Sequence, residues 1–168
     1  MKAKAVVHRL FAGGDRAIGA TVYGTVLALA ALAAGAAEHK GPRVLVALVG
    51  ATALVIWIAH VYAHGLGESI ERGHRLSWRE LRQIAARELP ILLAAAAPTA
   101  MLFLGAVGVI RESTDIWLAF AVGLAALGVQ GGRYARVEHL GPLGTATVVG
   151  ANLALGGIVV GLKVLVSH

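Results

Sequence analysis

Five uncharged stretches alternate with short charged connectors along the chain, at 17–37, 44–67, 89–110, 116–132 and 140–162. Each is close to the roughly 17 to 25 residues that a helix needs to cross a hydrocarbon core. The pattern predicts an all-α, polytopic membrane bundle of five transmembrane helices, at about 17–37, 44–64, 90–110, 116–132 and 143–163, forming one integral membrane domain over 1–168. The connector after the second stretch is the one long polar segment. Ser77 and Glu80 there have the spacing of a capping box, and Leu76 and Leu81 that of a hydrophobic staple. An amphipathic interfacial helix is expected over about 78–89, with Trp78, Leu81, Ile84, Ala85 and Leu89 toward lipid and Arg79, Arg82, Gln83 and Arg87 toward phosphates or water. A shorter surface helix is expected over 2–11.

Composition supports the same class. With 58% hydrophobic and 14% charged residues and a mean hydropathy of +0.76, a water-soluble fold of this size has too little polar surface to cover its core. Almost every residue is committed to the membrane, which leaves no soluble catalytic domain. The chain has no cysteine, so disulfides, thiolate metal sites and cysteine nucleophiles are excluded.

Charge placement gives an orientation. With the N-terminus cytoplasmic, the inner segments hold Lys2, Lys4, Arg9, Arg16, Arg72, Arg75, Arg79, Arg82, Arg87, Arg133 and Arg136, and the outer ones only Lys40, Arg43, Arg111 and Lys163. That asymmetry is a positive-inside signal, with the C-terminus outside and the cell membrane as location. The net charge of +6 then reads as orientation and contact with anionic lipid headgroups, not nucleic-acid binding. Arg16, Arg79, Arg82, Arg87, Arg133 and Arg136 are the expected lipid or anion contacts. Ala34-Gly35-Ala36 looks like a signal-peptidase site, but its apolar run exceeds the usual h-region of about 7 to 15 residues, so the first helix reads as retained.

Packing and polar glue come next. Small residues at four-residue spacing (Ala20 and Gly24, Gly128 and Gly132, Gly150 and Ala154, Gly157 and Gly161) predict close helix approach, within one chain or in a homo-oligomer. Tyr23, Thr99, Gln130 and Asn152 are the intramembrane polar residues of interest; Asn152 is expected to hydrogen-bond a neighbouring helix, and Pro98 to kink the third span beside Thr99.

Candidate chemistry concentrates at the end of the second stretch. Trp57, His60, His64, Glu68 and Glu71 share one face of a continuous helix, and His60 and His64 at i and i+4, with Glu68 one turn on, have the spacing of ligands to a divalent metal. Gly65 and Gly67 are positions where that helix can break. Glu71 and His74 match one half of a di-iron Glu-x-x-His pattern whose other half is missing. Carboxylates stay away from the span centres, which disfavours a carboxylate-coupled transporter. Phosphate-binding loops and nucleophile elbows are also missing. The leading reading is therefore non-enzymatic: a channel or carrier-like bundle, or the membrane subunit of a complex. Two alternatives stand beside it, a metal-binding membrane enzyme or metal carrier built on His60, His64 and Glu68, and an assembly protein docking through 78–89.

Overall fold

A computed structural model describes residues 15–166. The surface helix expected over 2–11 lies outside them. Among the described residues the chain is all helical, with six helices and no strands: α1 (Asp15–Ala37), α2 (Pro42–Arg72), α3 (Trp78–Ala94), α4 (Ala96–Ala106), α5 (Glu112–Val137) and α6 (Pro142–Val166). Four of them, α1, α2, α5 and α6, are long and apolar enough to cross a membrane. A fifth span results if α3 and α4, which meet at 47°, count as one broken helix.

Helix ends follow local chemistry. α2 does not break at Gly65 or Gly67; it runs to Arg72 and stops where Gly73 adopts φ 68° and donates its N–H to the Ile70 carbonyl. Gly65 is buried inside this helix, with Leu76 and Leu81 beside it. The boundary expected near 89 lies instead at Ala95. α3 runs through Pro90, and the chain breaks one turn before Pro98, which has no N–H to offer the Ala94 carbonyl and crowds it. The kink expected from Pro98 is thus a full break between two helices.

α1 is the hub and packs on α2, α3, α5 and α6. Around it the core gathers Leu29, Leu32, Leu45, Val49, Leu102, Phe120 and Leu127, none more than 2% exposed. Near the other end of α1, Gly24 lies so close to α3 that a Cβ there would sit 2.4 Å from the Ile91 carbonyl oxygen. Other small residues at this spacing make no such approach within the chain. Gly132, Gly150, Gly157 and Gly161 have open space around them, and α5 and α6 approach instead at Gly131 and Gly156. Asn152 is part of the contact at Gly131 and hydrogen-bonds across it to the Leu127 carbonyl.

The face of α3 expected to meet lipid turns toward protein. Ile84 is buried, Leu81, Ala85 and Leu89 are half-buried, and only Trp78 points outward at 72% exposure. The reason is the length of α2, whose last turns give α3 a protein surface to lie on. Two linkers are also near copies: Glu38-His39-Lys40-Gly41-Pro42 and Glu138-His139-Leu140-Gly141-Pro142. In both, the histidine takes a left-handed conformation (φ 54° and 52°), and the next amide reaches back to the carbonyl five residues earlier (Gly35 and Ala135).

Candidate functional site

α2 has 31 residues, so it is about 46 Å long against a hydrocarbon thickness of about 30 Å. Measured from Pro42, the apolar depth is used up near His60. The last three turns of α2 and the start of α3 form a polar helical hairpin, and most of the chain's chemistry lies along its seam.

From the apolar side outward, Trp57 Nε1 donates to the Ala85 carbonyl at 3.1 Å. That carbonyl precedes the Ala86 carbonyl, for which Pro90 supplies no N–H. His60 lies next, its ring 5.0 Å from that of Tyr23 on α1 and 6.1 Å from that of His64. His64 Nδ1 is 3.7 Å from Glu88 Oε1 on α3. Beyond it, Glu68 accepts from Arg87 across the seam and from Arg72 at 2.9 Å, and Arg72 also donates to Glu80 at 2.6 Å. Glu80 closes the ladder in the capping box, where the Ser77 amide and hydroxyl each donate to Oε2 at 2.7 Å.

The two imidazoles share an arrangement. His60 Nδ1 lies 3.1 Å from the Ile56 carbonyl and His64 Nδ1 3.0 Å from the His60 carbonyl. A carbonyl only accepts, so Nδ1 carries the proton and, in the neutral ring, Nε2 keeps its lone pair. Glu68, expected as the third metal ligand, is engaged by two guanidinium groups instead. No group of three or more His, Cys, Asp or Glu among the described residues is placed to hold a metal ion. His74 falls beyond Gly73, outside α2, and its Nδ1 lies 3.0 Å from the Arg75 carbonyl, so it is not helically spaced from Glu71.

The remaining expected residues disperse. Asn152 Nδ2 donates to the Leu127 carbonyl at 3.2 Å and ties α6 to α5. Gln130, 5% exposed, accepts from Arg133 at 3.2 Å. The Thr99 hydroxyl is buried without a hydrogen-bond partner, beside an apolar groove between α2 and α4 lined by Val46, Gly50, Ala53, Leu92 and Phe103. Arg79, Arg82, Arg87 and Arg136 are exposed, and Arg87 also pairs with Glu68. Arg16 lies in the first turn of α1. Two features had no place in the expectations: the ionic ladder itself, and Asp115, a carboxylate with 0% exposure.

Glu68 and Glu80 both lie beyond the uncharged part of α2, in the polar end of the hairpin. Both are held below the ordinary value of 4.5, Glu68 chiefly by the hydrogen bond from Arg87 and Glu80 chiefly by the Ser77 amide. A lowered folded value means that the ladder's contribution is complete above pH 4.5 and is lost as pH falls through the lower folded values. In a Trp78→Phe, Trp117→Phe variant, which leaves Trp57 as the one tryptophan of three, its fluorescence is expected to hold steady from neutral pH down to about 5 and to change below 4.5 as the seam loosens. A spectrum constant through that range would mean that the ladder does not hold the seam.

No family model, curated protein or solved structure matches the chain. The class therefore rests on the fold: a helical bundle whose apolar helices fit a membrane-embedded, multi-pass protein.

Proposed function

We propose that the chain is a non-enzymatic integral membrane protein of five spans, the membrane subunit of a complex, which presents the α2–α3 hairpin on the cytoplasmic side. One observation carries this reading. The polar groups collect at the projecting end of the hairpin, pinned by the Glu68, Arg72, Arg87 and Glu80 ladder, while the bundle centre is filled by large apolar side chains. Among the described residues the core cluster around α1 is apolar, and the buried Thr25, Asp115 and Gln130 are too few to line a conducting path through one chain, so the channel or carrier reading falls behind. On the hairpin, Trp78, Arg79 and Arg82 stand exposed for a protein partner or for anionic headgroups, as does Arg136 in the last turn of α5. α6, with 6% of its apolar window buried, is the face on which further copies or subunits would sit.

Orientation follows from the same end. If α3 and α4 make one broken span, Arg72, Arg75, Arg79, Arg82, Arg87, Arg133 and Arg136 share a side, facing Lys40, Arg43 and Arg111 on the other. If the pair were re-entrant, α5 would reverse and Arg133 and Arg136 would move outward. The charge bias favours the span and a cytoplasmic hairpin.

Because the chain has no cysteine, single cysteines test this directly. Lys40→Cys and Val109→Cys are expected to react with an impermeant maleimide in intact cells, and Arg79→Cys and Glu138→Cys only after permeabilisation. Val109→Cys protected until permeabilisation would overturn the five-span topology. For the function, a photo-crosslinking residue at Arg79 or Arg82 in living cells should give one discrete membrane-bound adduct. Adducts with lipid alone would sink the subunit reading and leave the hairpin as a headgroup contact.

A further inference from the structure

The histidine pair on α2 has a geometry that docking does not require. His60 and His64 stand one turn apart on one face, their ring centres 6.1 Å apart and their planes tilted by 34°. Each donates Nδ1–H to the carbonyl one turn back, which fixes the tautomer and leaves the Nε2 lone pair available. A backbone carbonyl on the far nitrogen is the usual outer-shell support of a metal-bound imidazole, since it orients the ring and raises its basicity.

Magnitudes agree. With a Zn–N bond of about 2.0 to 2.1 Å, the centre of each bound ring lies about 3.2 Å from the metal, so two rings sharing an ion have centres about 5 to 6 Å apart. The observed separation reaches that range with small side-chain rotations. Tyr23 against His60 limits the motion of one ring, and Glu88 beside His64, its side chain 16% exposed, supplies the negative charge nearest to the pair. The His64 side chain is 54% exposed, which gives an ion a way in.

We propose that His60 and His64 chelate a divalent first-row metal ion of the zinc, nickel or copper type through their two Nε2 atoms, at the inner edge of the membrane. Imidazole donors suit these ions, and calcium or magnesium would demand oxygen ligands. Glu68 is not a ligand, because Arg72 and Arg87 hold it in the ladder. With no third protein ligand in place, water or another exchangeable donor completes the shell, so the ion is held reversibly and at an open site.

The test is zinc titration of the full chain, purified in mild detergent without a polyhistidine tag and stripped with a chelator, against a chromophoric competitor. One zinc per chain is expected, with affinity about tenfold or more weaker in His60→Ala and in His64→Ala, and within about threefold of wild type in Glu68→Gln. His60→Gln and His64→Gln, which keep a polar side chain of similar length, replace the alanine variants if those change the elution profile. Three results would overturn the proposal: no zinc bound by the wild type, binding unchanged without either imidazole, or Glu68→Gln as damaging as His64→Ala. Failure of the hairpin crosslinks leaves this site standing, and failure of the titration leaves the hairpin reading standing.

Discussion

Gly24→Val is expected to remove most of the folded protein from a detergent extract. A Cβ at Gly24 would lie 2.4 Å from the Ile91 carbonyl oxygen, 2.9 Å from Ile91 Cα and 3.0 Å from Ala94 Cβ. Two of these neighbours are backbone, which no rotamer change can move, so α1 and α3 must separate as whole helices. Overpacking a close contact costs about 1 to 3 kcal/mol when side chains can adjust, and more when they cannot. Against a total stability of about 5 to 15 kcal/mol, that is a large fraction. It falls on the hub helix, so contacts of α1 with α2, α5 and α6 are strained as well. Gly50→Ala is the control, since nothing stands within 4 Å of its Cβ position; it should be neutral or stabilise by up to about 1 kcal/mol through helix propensity. Thermal melting followed by size-exclusion fluorescence compares the two. A Gly24→Val protein that melts with the wild type would mean that α1 and α3 do not approach as described.

The Gly24 contact also marks how far the sequence could be read. Its small side chain, at four-residue spacing from Ala20, announces a close approach, but the spacing does not name the partner helix. The same rule points to Gly150, Gly157 and Gly161, which face open space within the chain, because the spacing does not say whether the partner helix belongs to the same chain or to another. Apolar spans are legible for a stronger reason. Hydrocarbon admits no unpaired backbone group, so an uncharged stretch of that length has few alternatives to a helix. What length does not reveal is where a broken helix parts. Pro90 and Pro98 look alike in the sequence, yet the chain stays helical through the first and breaks one turn before the second.

The candidate site divides the same way. The shared face of His60, His64 and Glu68 follows from helical periodicity and needs no structure. Which groups meet that face does need one, since Arg87 lies 19 residues from Glu68 and reaches it only because α3 folds back along α2. A carboxylate and two imidazoles suggest a metal site when only one helix is considered; once the second helix is in place, the carboxylate is shared between Arg72 on its own helix and Arg87 on the other. The repeated Glu-His-x-Gly-Pro linker was in plain view. Its meaning depends on a left-handed histidine, a conformation that composition does not announce.

Asp115 shows how distance from a helix centre misleads as a measure of burial. It lies in the first turns of α5, where a carboxylate favours the helix N-terminus and solvent is ordinarily near. Here it is fully buried, with Oδ1 accepting the Ile116 amide at 2.6 Å, because Gly105 on α4 has no side chain to occupy the space. A Cβ at Gly105 would lie 2.0 Å from Asp115 Oδ2, 2.6 Å from Cγ and 2.7 Å from Cβ. Gly105→Ala therefore evicts the carboxylate from its place, and the loss combines overpacking with a displaced buried polar group, together about 2 to 4 kcal/mol. Unlike the contact at Gly24, this one is made wholly by a side chain, so a second substitution can relieve it. Asp115→Ala removes Oδ2 and Cγ but leaves the Cβ contact, whereas Asp115→Gly removes all three atoms. In a double-mutant cycle on melting temperature, Gly105→Ala should couple to both Asp115 variants with about 0.5 to 3 kcal/mol of recovery, larger for glycine than for alanine. Simple additivity would place the carboxylate elsewhere and show that α4 and α5 do not meet at this pair.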